Sequence, residues 1–166
     1  MSAPPPRASA LALPALLVAG ALALAPAAGA QAPTSGDPGA QPDATITDGT
    51  AARQLAEARA RWRAAGIASY RTRIAIRCFC PGSITATRTV VVRRGRPIGA
   101  VPGHLRDVAT VPRLFARIEE AIRAGAATLD VRYATSGRPT SVYVDRSRMI
   151  ADEERGIVVR SFARTR

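Results

Sequence analysis

Cys78-Phe79-Cys80 is the one place in this chain where reactive side chains recur at short spacing. Two sulfurs two residues apart can close a small disulfide ring, exchange with other thiols, or offer soft ligands to a metal. On a regular strand, residues at that spacing have Cα atoms near the upper limit for bridging, about 6.8 Å, so closure requires a bend, which Pro81-Gly82 permits. So short a ring restrains the unfolded chain little, contributing ~1–2 kcal/mol at most, so its role would be local shape. A redox enzyme places its thiolate best at a helix N-terminus, whereas this pair falls at a strand end, and a structural disulfide is the favoured reading. A thiol-disulfide redox protein using Cys78 and Cys80 is the alternative. For metal binding the further soft ligand is His104, and the three lack zinc spacing, although Cu(I) accepts so few ligands. Neither a metal site nor a cofactor is expected.

Other chemistries find less to work with. Asp152-Glu153-Glu154 is the one acidic cluster. Adjacent carboxylates point in different directions and no second oxygen-rich segment accompanies them, so the cluster reads as a solvated turn paired with Arg146, Arg148 and Arg155. His104 has no Gly-x-Ser-x-Gly elbow to serve, and neither a phosphate loop nor a dinucleotide fingerprint is present. No catalytic residue emerges. Among the aromatics, Trp62, Tyr70, Phe115, Tyr133 and Phe162 sit where periodicity demands a core. Phe79 and Tyr143 do not, which makes them candidates for surface contacts.

The elements that would position these residues follow from periodicity. Leu55, Ala58, Trp62 and Ala65 share one face of a helix that Gly66 ends. From Ser69 to Cys80 the period becomes two, with Tyr70, Thr72, Ile74, Ile76, Cys78 and Cys80 on one side and Arg71, Arg73 and Arg77 on the other. Thr85 to Arg93 is a second strand, Arg94-Gly95-Arg96 a turn, and Pro97 to Val101 a short edge strand. Thr110 caps a helix with Pro112 in its first turn, Leu114, Phe115, Ile118 and Ile122 line its buried face, Glu119 and Arg123 pair at four-residue spacing, and Gly125 stops it. Strands at 129–133, 141–145 and 157–162 complete the order α-β-β-β-α-β-β-β. This is an α+β domain, an antiparallel sheet with helices on one face.

Upstream, Arg7, an uncharged run from Ala10 to Ala25, and Ala28-Gly29-Ala30 follow the order of a secretory signal peptide, with cleavage expected after Ala30. Pro14 and Gly20 interrupt the apolar run, which falls short of the ~20 residues a spanning helix requires. Residues 31–49, rich in proline, glycine and small polar residues, read as a flexible tether, and residues 50–166 as one folded domain. The net charge of +12 comes entirely from arginine, since the chain has no lysine, and only Arg7 of that surplus lies in the leader. Nucleic-acid binding needs arginines concentrated on one face and interleaved with aromatics. Here they look scattered, over Arg53, Arg59, Arg61 and Arg63, then Arg71, Arg73 and Arg77, then Arg93, Arg94 and Arg96. No nucleic-acid partner is expected, while weak attraction to an anionic polymer or lipid surface is in keeping with the charge.

Several segments together resemble the exported bacterial family of domain of unknown function six-one-seven-four. They are Trp62 with Gly66 and Tyr70, Cys78-Phe79-Cys80-Pro81, Thr110-Val111 with Leu114-Phe115 and Ile118, Val131-Arg132-Tyr133, Gly137-Arg138-Pro139-Thr140-Ser141-Val142, and Ile150-Ala151-Asp152-Glu153-Glu154. The resemblance spans about residues 53–162 and implies export and a compact domain, with no assigned activity. Arg138 stands where the family tends to have an aromatic, and joins Phe79 and Tyr143 as a candidate surface residue. The expectation is a secreted or periplasmic, non-enzymatic binding or structural module whose partner is an envelope or extracellular protein.

Overall fold

The computed structural model of the protein describes residues 41–150 and 152–165, so the leader expected over residues 1–30 and the first part of the tether lie outside the described residues. The folded body begins earlier than Thr50. Asp43 accepts a hydrogen bond from the Thr45 backbone N–H at 2.8 Å and so caps a single helical turn, α1 (Ala44–Thr47). Its second carboxylate oxygen accepts from the Leu129 N–H at 3.1 Å, and its own N–H donates to the Ala126 carbonyl at 2.8 Å. A short segment that composition assigns to the tether is thus held to the domain by polar bonds, with little apolar burial of its own.

Helix α2 (Thr50–Ala64) buries Ala51, Leu55, Ala58 and Trp62, and ends before Gly66, which takes φ +60°. Strand β1 (Tyr70–Arg77) alternates as its sequence demands, with Tyr70, Thr72, Ile74 and Ile76 buried and Arg71, Arg73 and Arg77 exposed. After the cysteines comes a one-turn helix, α3 (Gly82–Thr85), so the second strand, β2 (Arg88–Arg93), starts later than Thr85. Arg94 at φ 49° and Gly95 at φ 78° form a two-residue turn into β3 (Arg96–Ile98). The loop bearing His104 coils into a 3-10 helix, Gly103–Val108. Helix α4 (Val111–Arg123) then begins at Thr110, whose hydroxyl accepts from the Arg113 N–H. Glu119 does not pair with Arg123 there. It forms a two-pronged bond to Arg59 of α2, at 2.8 and 3.3 Å, because the two helices lie side by side and the guanidinium fork fits a carboxylate.

Strands β4 (Thr128–Tyr133), β5 (Pro139–Asp145) and β6 (Arg155–Arg164) complete a six-stranded antiparallel sheet in the order β3-β2-β1-β6-β5-β4. The final strand therefore lies at the centre, between two hairpin units. Its register against β1 shifts between Arg73 and Ile74, which leaves Arg160 as the extra residue of a bulge. Without that extra residue Phe162 would face outward. With it, Phe162 lies opposite buried Thr72 and joins Trp62 and Tyr70, at ring separations of 4.9 to 6.0 Å. Helices α2 and α4 cover this inner face, where Tyr70, Ile74, Ile76, Val92, Val142, Leu114, Ile118 and Ile157 form one core. The outer face carries no helix among the described residues. No described helix is long and apolar enough to cross a membrane.

Candidate functional site

The two cysteines sit where β1 gives out. Their sulfurs are at bonding distance, 2.07 Å, and the Cα atoms are 5.2 Å apart, closer than a straight strand allows, so the chain bends between them. Phe79 stands at the apex of that bend and is 85% exposed.

Two features that are far apart in sequence meet beside the disulfide. A cavity of about 270 Å³ is lined by Cys78 and Cys80, by His104, and by Asp152, Glu153 and Glu154 of the acidic turn. His104 Nε2 and Glu153 Oε1 are buried there without a hydrogen-bond partner among the described residues. No group of three or more His, Cys, Asp or Glu side chains among the described residues is placed to hold a metal ion.

On the uncovered face of the sheet the same corner opens into a groove of about 570 Å³. Strand register explains it. Arg77, Gly156, Tyr143 and Asp130 lie side by side across β1, β6, β5 and β4, and Val158, Ser141 and Arg132 form the row next to them. Gly156 makes the floor low, since a Cβ at that position would come within 3.1 Å of Arg77 Cβ. Phe79 and Glu154 stand at its margin. Tyr143 is 38% exposed, and partial burial, with the charges of Glu154 and Asp145, pushes its hydroxyl above the ordinary tyrosine range. The groove thus combines two aromatics, two cations and two anions.

Of the three surface candidates, Phe79 and Tyr143 share this groove and Arg138 does not. Arg138 sits in the β4–β5 turn, with its guanidinium 4.6 Å from the Phe162 ring centre, capping the aromatic cluster on the helix-covered side. Burial lowers its pKa, and it donates to the Pro139 carbonyl at 3.3 Å. A cation over the face of a core aromatic has a packing role.

The arginines are less scattered than their sequence positions suggest. Arg71, Arg73 and Arg77 share the outer face of β1, and the β2–β3 register puts Arg93 and Arg96 on the same face. No aspartate or glutamate occurs from residue 58 to residue 106. Among the described residues, none of these five arginines is in an ion pair. Alternation along β1 already announced three of them; the other two needed the turn geometry.

No curated protein and no solved structure matches the chain. The model of a family of unknown function, DUF6174, matches residues 54–164, which runs from within α2 to the end of β6. The matched stretch includes the disulfide corner, the groove and the central strand together, and on that footing the chain belongs to the family of unknown function DUF6174.

Proposed function

We propose that the protein is an exported, non-enzymatic binding module of the bacterial envelope, and that the groove beside Cys78 and Cys80 takes an extended segment of a partner protein. The observation that carries this reading is the meeting of Phe79 and Tyr143 over the low floor at Gly156, with Arg77, Arg132, Asp130 and Glu154 around them. Four strands at a spacing of ~4.8 Å give the groove a length of about 14 Å, room for roughly four residues of extended chain at ~3.3 Å each. Aromatic faces with charges of both signs suit the mixed side chains of a peptide, whereas a uniformly anionic ligand would be repelled by half of the rim. Export is supported by the signal-like order of residues 1–30.

A photo-crosslinking residue placed at Tyr143 in cells should trap a partner that one placed at Arg63 on α2 does not. A peptide from the trapped partner should then bind the purified protein, and Phe79→Ala with Tyr143→Ala should weaken that binding tenfold or more, the loss of one or two aromatic contacts. Equal affinity of the double variant would overturn the reading. N-terminal sequencing of protein recovered outside the cytoplasm should begin at Gln31.

The acid-free half of the same face favours a second reading, attachment to an anionic envelope polymer through Arg71, Arg73, Arg93 and Arg96. Such binding falls steeply with salt. Retention on an anionic polymer that is unchanged between low and high salt would remove it.

A further inference from the structure

A third, larger cavity, of about 860 Å³, opens between the 3-10 helix, α4, and the ends of β5 and β6. Six guanidinium groups line it: Arg106, Arg113, Arg117, Arg123, Arg146 and Arg155. Only Asp107 and Glu120 oppose them, and Glu120 is already engaged, 2.8 Å from Arg117 and 4.0 Å from Arg146. Arg113 spends an N–H on the Arg106 carbonyl, and Arg155 donates to the His104 carbonyl at 2.7 Å. The Nε of Arg155 is nevertheless buried with no acceptor among the described residues. Burial and the nearby charges of Arg117 and Arg146 lower the pKa of Arg155, so its charge is held against a cost.

Composition explains how many arginines a chain has, but it does not explain their convergence from the 3-10 helix, α4 and the ends of β5 and β6 on one cavity. Like charges at i,i+4, as at Arg113 and Arg117, weaken a helix, so the crowding works against the fold. A site whose guanidinium forks outnumber its carboxylates six to two, one fork with a buried unsatisfied donor, is complementary to an oxyanion. We infer that this cavity binds a compact anion carrying two or more phosphate groups. With Arg117 and Arg146 facing Glu120, four forks remain, more than the one or two that a single phosphate engages bidentately.

Calorimetric titration of the full chain with inorganic pyrophosphate tests the inference. Binding should be at least tenfold tighter than for inorganic phosphate. The exposed pair Arg106→Gln with Arg146→Gln should lose tenfold or more in affinity, while Arg71→Gln with Arg73→Gln on the sheet face should stay within about twofold, since one charge-assisted bond is worth about that factor of ten. Flotation with phosphatidylcholine vesicles, with and without a lipid diphosphate, separates a free ligand from a headgroup. Binding to pyrophosphate alone assigns the soluble form, and added recruitment to the lipid diphosphate assigns the headgroup. No heat at millimolar pyrophosphate in low salt, equal affinity for inorganic phosphate, or loss only in the sheet-face variant would each overturn it. These outcomes are independent of the groove at Tyr143.

Discussion

At Gly137 the chain leaves no room for a methyl group. A Cβ there would lie 2.0 Å from the Ala58 carbonyl oxygen of α2, and the residue already needs φ +83°. Gly137→Ala should therefore cost about 3 kcal/mol or more in urea unfolding, because backbone strain of 1–3 kcal/mol adds to a collision of two backbones. Gly95→Ala, with a similar φ of +78° and open space around it, should cost about 1 kcal/mol. Tyr70 offers another measurable bond, since its buried hydroxyl accepts from the Val111 N–H at 2.9 Å at the start of α4. Tyr70→Phe should lose about 1–3 kcal/mol by leaving that donor unsatisfied, while near-UV dichroism of the Trp62 cluster persists. The exposure of Phe79 and Tyr143 was legible in sequence, because alternation alone puts them outside the core. The place of Arg138 on Phe162 was not, since it depends on a bulge that no local pattern announces. Nor could spacing show that His104 and Glu153 meet beside the disulfide, as their proximity comes from strand order.

Element boundaries divide the same way. The start of α4 was readable from Thr110-Val111-Pro112, and Thr110→Ala should cost about 1 kcal/mol through the lost cap. The turn at Ala44–Thr47 was not readable, because Asp43 earns its hold through two distant backbone groups, at Ala126 and Leu129. The hydroxyl bond from Thr45, chiefly, holds the Asp43 carboxyl below the ordinary aspartate range. With a folded value below the unfolded one, near 3.9, its contribution is complete above that pH and drains away as pH falls through the folded value. The fall in urea midpoint between pH 7 and pH 3 should thus be smaller in Asp43→Asn than in the parent chain. An equal fall would show that the carboxylate does not act at this turn.

For the whole molecule, the fold class and helix-covered face could be read from periodicity, but the strand order could not. Nothing local says that β6 pairs with β1, a contact exemplified by the Thr72 hydroxyl donating to the Ser161 carbonyl across 89 positions. Pairing so remote makes folding slow, on the order of milliseconds to seconds. A chain ending at Asp145 should show no cooperative thermal transition, because β1 and β5 then lose their shared neighbour. The sheet's two flanks, by contrast, are each interrupted at one position. Strand β3 is three residues long with Pro97 at its middle, and on the other flank Asp43 takes the Leu129 N–H that would otherwise reach for a visiting chain. A carboxylate in a helical turn thus does for one side what a proline ring does for the other. Crowded copies meet a ladder interrupted on each flank, which disfavours growth from edge to edge.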